Sequence, residues 1–131
     1  MADFCTAALT MDADATLRHV VLRYFHVFML QLAATALADA KYPVEQRLAR
    51  WLLMAHDRLG HELPLTHDFF ALMLGVRRPS VTEALHILEE RQCVRAERSL
   101  VVVRNRAKLE ELAGDAYGVP EGEYRRLLLR E

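Results

Sequence analysis

Two adjacent arginines open an apolar segment, "RRPSVTEALHILEE", that spans residues 77–90. The apolar residues recur at helical spacing, and they are Val81, Ala84, Leu85 and Leu88. This spacing predicts a helix from about Arg78 to Arg91. Arg78 then opposes the positive end of the helix dipole, at a cost of roughly several tenths of a kcal/mol. The cost is explained if this helix start faces a polyanion, because an arginine fork and first-turn N–H groups both bind anionic or acceptor atoms.

The charges of the chain are unevenly distributed. The net charge is −1, yet residues 77–108 hold eight Lys/Arg against four Asp/Glu, which gives +4 there and leaves −5 elsewhere. A basic segment between acidic flanks is typical of a surface that binds a polyanion. The alternative is a solvated surface with scattered arginines.

Several function classes are not supported by any motif. The six histidines include no pair at i, i+4 spacing and no HExxH, so we expect no metal and no cofactor. There is no GxSxG and no glycine-rich phosphate loop, so we expect no enzyme. Cys5 and Cys93 are far apart, the N-terminal segment has no basic signal region, and no run of about 18 uninterrupted apolar residues occurs. We therefore expect a reduced cytoplasmic protein with no membrane span and with Cys93 buried.

A short helix must hold the arginine-rich helix in place. Thr66 is a suitable N-cap with Asp68 in the first turn, and Gly75 ends the helix. We expect its inner face to consist of Phe69, Leu72 and Met73. A helix of about eight residues, a turn with glycine and a longer helix have the spacing of a helix-turn-helix.

Two short β-rich segments follow, Val94 to Ala96 and Leu100 to Val103, separated by polar residues. They predict a hairpin. A hairpin that directly follows the second helix of a helix-turn-helix is called a wing. Asn105 can cap a further helix, "RAKLEELAGDAYG". The tail from Val119 to Glu131 is amphipathic and receives no assigned structure.

A long helical pattern without glycine or proline precedes all of this, at 15–41. One stripe with alternating spacing of three and four resembles a coiled-coil seam: Leu17, Val21, Tyr24, Phe28, Gln31, Thr35 and Ala38. A second apolar stripe consists of Leu22, Phe25, Met29, Leu32 and Ala36. Both stripes need partners, so we favour a self-paired dimerisation helix over a buried core helix. Pro43 then starts another helix that ends at Gly60, with Trp51 as a core anchor.

The predicted fold is mainly α with a small β-hairpin wing, in four parts. Residues 1–14 form a flexible N-terminus, 15–41 the dimerisation helix, 42–115 the winged helix-turn-helix domain and 116–131 the tail.

This order of elements resembles the Crp/Fnr family of bacterial transcription regulators over roughly Leu17 to Asp115. The resemblance is carried by "RLARWLLMAHDR", "LPLTHDFFALMLGVRRPSVTEALHILEE" and "VRAERSLVVV". Family members also have an N-terminal β-roll that senses an effector. The segment before the long helix is too short for it, so no effector is expected.

The resemblance implies a set of DNA contacts. Thr66 would hold a phosphate, and Arg78 would read guanine. Pro79 and Glu83 stand where many relatives have a base-reading glutamate and a second arginine, which puts the usual half-site in doubt. The further contacts implied are Arg77, Ser80, Thr82 and His86 around the recognition helix, and Arg95 and Arg98 in the wing.

The sequence thus predicts a dimeric, sequence-specific transcriptional regulator whose recognition helix enters the major groove of double-stranded DNA. RNA polymerase is a further candidate partner. The alternative is a non-autonomous interaction protein that heterodimerises with a full-length family member and modulates it.

Overall fold

A computed structural model describes Thr6 and residues 13–129. Of the predicted flexible N-terminus, all but Thr6, Ala13 and Asp14 lies outside the described residues. The chain divides into two compact units. One is Thr35–Gly118, and the other combines the described parts of Met1–Ala34 and Val119–Glu131.

The elements follow the predicted order of a long helix and a winged helix-turn-helix, and the predicted fold class is confirmed. In chain order they are α1 Ala15–Lys41, α2 Val44–Leu59, β1 Glu62–Leu63, α3 His67–Leu74, α4 Arg78–Glu90, β2 Val94–Glu97, β3 Leu100–Val103, α5 Arg106–Ala113, a 3-10 turn Gly114–Ala116 and α6 Val119–Leu128.

Three helix ends lie where local chemistry predicts them, whereas α5 stops at Ala113 instead of continuing through the expected "RAKLEELAGDAYG" to Gly118. The Thr66 hydroxyl accepts from the backbone N–H of Phe69 at 3.1 Å, and so caps α3. Gly75 ends α3 with φ of 64°, a left-handed conformation that suits glycine. The side-chain Oδ1 of Asn105 accepts from the N–H of Lys108 at 3.1 Å and caps α5.

The wing is a three-stranded antiparallel sheet in the order β1-β3-β2. The β2–β3 hairpin was predicted, and its register pairs Val94 with Val103 and Glu97 with Leu100. The edge strand β1 was not predicted, and it pairs Leu63 with Val101. Two residues carry no readable alternation, so only the distant partner strand makes this segment a strand.

The core of Thr35–Gly118 lies between α2, the helix-turn-helix and the wing. The expected inner face of α3 is wrong: Phe70 and Leu74 are buried at 1% and 2% exposure, whereas Leu72 is 74% exposed. The run "FFALML" is apolar in either register, and packing against α4 selects the pair four residues apart. Cys93 is buried as predicted, and Trp51 packs against the core while partly exposed.

Most large apolar side chains of α1 are exposed, among them Leu22, Phe25, Met29 and Leu32. Val27, in contrast, is buried. By length and composition α1 is also apolar enough to cross a membrane, although no uninterrupted apolar run marks it in the sequence. That property alone does not separate a membrane span from a helix covered by protein.

The C-terminal tail contains a helix, α6, to which the sequence pattern assigned no structure. Pro120 lies in its first turn, where its missing N–H costs nothing, and its side chain is buried. Glu123 and Arg126 form an i, i+3 ion pair at 2.7 Å on this helix.

A polar cluster around Arg106, which we call the Arg106 cluster, holds α5 to α2. The guanidinium donates to His56 Nδ1 at 2.7 Å, to Glu110 at 2.7 Å and to the Tyr117 hydroxyl at 2.7 Å. It also pairs with Asp57 at 2.8 Å. Because these partners lie far apart in sequence, the cluster ties distant segments of the winged domain together.

The cluster fixes the protonation of its members. Burial, and then the hydrogen bond to Asp57, raises the pKa of Tyr117 to about 12. Burial lowers the pKa of Arg106, but its hydrogen bonds to Glu110 and Asp57 outweigh this and raise the pKa overall. Arginine only donates, so His56 Nδ1 must accept, and its Nε2–H donates to His61 Nδ1 at 3.1 Å. His56 is therefore neutral in this arrangement.

We expect acid to weaken the fold through His56. Burial, followed by the charges of Arg106 and His61, lowers the pKa of His56 from its ordinary 6.5. Below pH 6.5 the unfolded chain takes up this proton before the folded chain does, so the free energy of unfolding falls as the pH falls. The loss stops once the pH has passed the lowered pKa of the folded state. The stability that His56 supplies is thus present above pH 6.5.

Urea unfolding at pH 7.5, 6.5 and 5.5 measures this loss. The His56→Gln variant keeps an acceptor for Arg106 but does not titrate, and should lose less stability on acidification than the parent. His19→Gln, on the exposed face of α1, is the matched control and should behave like the parent. An unchanged pH dependence in His56→Gln would show that other groups cause it.

Candidate nucleic-acid interface

Three elements enclose a cleft on the winged domain: the start of α3, the outer face of α4 and the tip of the wing. Its volume is about 490 Å³. It is lined by Thr66, His67, Asp68, Arg78, Thr82, Leu85, His86, Glu89, Ala96, Glu97, Arg98 and Ser99. Polar and charged side chains predominate, which suits a charged ligand better than an apolar one.

The helix α4 presents its polar residues to this cleft because its apolar residues are used on the other side. Val81 and Leu85 are fully buried against α2 and α3. Arg78 and His86 are exposed, and Thr82 between them is half-exposed. Pro79 follows Arg78 in the first turn, and no side chain caps this helix start. The backbone N–H groups of Ser80 and Val81 donate to the Arg77 carbonyl at 3.0 and 3.4 Å, so the exposed polar group of this first turn is the Arg78 side chain.

The first turn of α3 contacts the first turn of α4 through side chains. His67 Nδ1 lies 3.1 Å from the Thr82 hydroxyl, which in turn donates to the Arg78 carbonyl at 3.2 Å. Asp68 accepts from Arg78 Nη1 at 3.4 Å. These contacts place the side chains that begin α3 directly beside the start of the arginine-rich helix.

The wing is held against α4 by Glu89. Its carboxylate accepts from the backbone N–H of Ala96 in β2 at 2.8 Å. At the tip, Ser99 has φ of 61°, and the tight turn leaves Arg98 exposed at the mouth of the cleft. Arg95 is also exposed and forms an ion pair with Glu97 at 2.7 Å.

A second groove runs along the adjoining face of α4. It is lined by Arg78, Pro79, Thr82, Glu83, His86, Ile87 and Glu90. Arg78, Thr82 and His86 therefore border both depressions, while Glu83 borders only this one. Of the predicted contact residues, Thr66 and Arg98 lie in the first cleft, whereas Arg77, Ser80 and Arg95 line neither.

The structure adds four ionisable residues to the contacts predicted from the sequence: His67, Asp68, Glu89 and Glu97. Asp68 was recognised as a helix-start acid, but its contact with Arg78 spans the turn and has no sequence signal. The role of Glu89 in holding the wing can be recognised only from its hydrogen bond to the backbone of β2. With these acids the cleft holds three carboxylates and two arginines, so it is less basic than the charge count of the segment indicates.

The cysteine of this domain is not a reactive centre. Burial raises the pKa of the Cys93 thiol, so it is protonated at neutral pH. Within Thr6 and 13–129, no group of three or more His, Cys, Asp or Glu side chains is placed to hold a metal ion.

Comparison with known proteins links this geometry to a family. A profile of the Crp-like helix-turn-helix domain matches residues 46–112. A CRP-family transcriptional regulator from Thermus thermophilus has 25% identity and a TM-score of 0.67, over 80% of this chain and 57% of that one. The catabolite activator protein of the same organism has 30% identity and a TM-score of 0.51, over 74% and 44%.

FixK2 from Bradyrhizobium japonicum shares the fold, with a TM-score of 0.74 at 19% identity, over 86% of this chain and 60% of that one. This chain thus spans between about two fifths and three fifths of the length of these solved structures. No curated protein matches it.

Proposed function

From the premise that this chain belongs to the Crp-like helix-turn-helix family, we propose that it is a sequence-specific DNA-binding regulator of transcription that acts as a dimer. The observation that carries this is the cleft in which the start of α3, the outer face of α4 and the wing tip converge. A helix with such an exposed polar face fits the major groove of duplex DNA. A regulator of this kind works in the cytoplasm.

The start of α3 supplies a phosphate contact. The Thr66 hydroxyl accepts from the N–H of Phe69 and so keeps its own hydrogen for donation to a phosphate oxygen. The positive end of the α3 dipole lies at the same point. Such a contact fixes the position of the protein on the duplex without selecting a sequence.

Arg78 is the side chain proposed to read a base. Its guanidinium is exposed beside the first turn of α4, and two parallel N–H groups match the O6 and N7 acceptors of guanine. Glu83, exposed one turn along the adjoining groove, can accept from the N4 of cytosine or the N6 of adenine. Ser80, Thr82 and His86 supply further polar contacts around the same helix.

The wing supplies phosphate contacts through Arg98 and Arg95. Arg98 lies at the mouth of the cleft, whereas Arg95 must exchange its ion pair with Glu97 for one with phosphate. Arg77, exposed just before α4, is a third basic contact for the phosphate backbone. These arginines bring affinity that depends on salt.

Two protomers are proposed to pair through α1. The stripe Leu22, Phe25, Met29, Leu32 and Ala36 alternates in steps of three and four, and every member is exposed. The other stripe is partly covered within the chain, since Val21, Gln31 and Thr35 are half-buried. The exposed stripe therefore forms the centre of the proposed seam, with Tyr24 and Phe28 beside it.

Selection of bound duplexes from a random pool tests the proposal most directly. Two recognition helices related by a dimer axis should select a near-palindromic site with half-sites about 34 Å apart. Failure to enrich any sequence, together with no salt-sensitive binding at micromolar protein, would contradict it.

Salt dependence gives a second measure with a predicted size. If Arg77, Arg95 and Arg98 each neutralise one phosphate in both protomers, log K should fall with log salt at a slope of about −5.4. Arg98→Gln should reduce the steepness by about 1.8. Arg91→Gln is the matched control, because Arg91 lines a depression apart from the cleft, together with Cys93 and Lys108. Equal slopes for the parent and Arg98→Gln would show that the wing tip does not contact the phosphate backbone.

A further inference from the structure

We propose that Asp68 and His67, which begin α3, are positioning residues that hold Arg78 for base reading and so set how strongly the protein discriminates between DNA sequences. The proposal rests on the base-reading role of Arg78 given above. It assigns to α3 a part in sequence selection in addition to its phosphate contact.

The side chain of His67 in α3 is hydrogen-bonded to the Thr82 hydroxyl in α4. The Thr82 hydroxyl has one hydrogen, which it donates to the Arg78 carbonyl at 3.2 Å. It must therefore accept from His67 Nδ1–H at 3.1 Å. This short chain of hydrogen bonds links the side chain of His67 to the backbone of Arg78, and it fixes where the Arg78 side chain leaves α4.

The carboxylate of Asp68 accepts a hydrogen bond from the Arg78 guanidinium. Asp68 Oδ2 lies 3.4 Å from Nη1, so the carboxylate attracts one end of the fork toward α3. Backbone and guanidinium of Arg78 are thus both held by neighbouring residues of one turn. A free arginine side chain loses much rotamer freedom when it docks on a base, and this arrangement reduces that loss.

Stabilisation of the fold does not account for the ion pair between Asp68 and Arg78. The Arg78 and Asp68 side chains are 64% and 72% exposed, and exposed ion pairs contribute little to stability. An acidic side chain in a DNA-binding cleft also repels phosphates and lowers general affinity. Asp68 therefore has opposite effects on two measurable quantities: it weakens binding to every sequence and sharpens the difference between sequences.

The Asp68→Asn variant separates these effects. Binding is measured for a duplex enriched by selection and for its shuffled counterpart. Asp68→Asn should bind the shuffled duplex more tightly than the parent, while discrimination falls about threefold per protomer and so about tenfold for a dimer. Glu97→Gln is the matched control, because it removes a carboxylate from the same cleft without touching Arg78. It should raise affinity for both duplexes alike and leave discrimination unchanged.

The double variant Asp68→Asn/Arg78→Ala locates the cause. In the Arg78→Ala background, Asp68→Asn should no longer change discrimination, because the side chain that it positions is gone. If Arg78→Ala lowers discrimination but Asp68→Asn does not, the positioning role is wrong and base reading by Arg78 stands. If Arg78→Ala has no effect on discrimination, both proposals are wrong.

His67 is tested by loss and rescue. His67→Leu removes the donor to Thr82 and should lower discrimination, whereas His67→Asn places an amide N–H near Nδ1 and should restore most of it. Urea unfolding midpoints establish that both variants fold equally well. Equal discrimination in His67→Leu and the parent would exclude His67 from the positioning role.

Discussion

Replacing Arg78 with alanine is expected to remove most of the sequence preference of this protein while leaving much of its general affinity for DNA. A bidentate contact between arginine and guanine provides about 1–3 kcal/mol of discrimination, so loss from both protomers of a dimer costs about 2–6 kcal/mol. Arg78 is exposed and its first-turn position carries no apolar packing, so the fold should be retained.

The measurement compares a selected duplex with its shuffled counterpart at fixed salt, because affinities at different salt concentrations cannot be compared. Arg78→Lys is the informative control. Lysine keeps the positive charge but lacks the planar fork, so it should keep general affinity and still lose discrimination. If Arg78→Ala weakens binding to both duplexes by the same factor, Arg78 is a phosphate contact rather than a base reader.

The parts of this fold that the sequence predicts are those set by local chemistry. Thr66, Gly75 and Asn105 act on backbone groups within a few residues, so both ends of α3 and the start of α5 can be read from the chain alone. The β2–β3 hairpin is likewise local, because its strands are joined by a two-residue turn at Arg98 and Ser99.

The parts that the sequence does not predict depend on contacts between distant residues. The strand β1 exists because Leu63 meets Val101, and the inner face of α3 is decided by packing rather than by the run of apolar residues around Phe70. The same limit applies to the candidate interface. The sequence indicates Arg78 and Arg98, but the bond from Glu89 to Ala96 and the pairing of Asp68 with Arg78 appear only once the chain has folded.

The two apolar stripes of α1 differ in how far the chain itself covers them. Both apolar stripes have helical spacing, so periodicity alone cannot rank them. Side-chain exposure can rank the two stripes, because an interface must be formed from surface that the chain itself leaves uncovered. Met29 is 68% exposed and Phe25 54% exposed, whereas the stripe with Gln31 and Thr35 is half-covered along its second half.

Replacing Phe25 with glutamate is therefore expected to dissociate the proposed α1 dimer. Loss of a buried phenylalanine costs about 1.5–3 kcal/mol per protomer, or about 3–6 kcal/mol per dimer. The dissociation constant should rise by about a factor of 10² to 10⁴, with a further penalty from the facing charges. Glutamate is a good helix former, so α1 should remain helical. Light scattering over a concentration series measures the change.

Two matched variants decide which surface pairs. Leu37→Glu changes an exposed leucine of α1 that belongs to neither stripe, and it should leave the dimer intact. Tyr24→Glu should weaken the dimer less than Phe25→Glu if the seam centres on Phe25, and more if it follows the stripe of Leu17, Tyr24 and Phe28. A parent protein that is monomeric at all concentrations would exclude self-pairing through α1 and favour a pairing partner other than a second copy. In a dimer that binds DNA, Phe25→Glu should also abolish the coupling between half-sites, because each protomer then binds its half-site with only its own contacts.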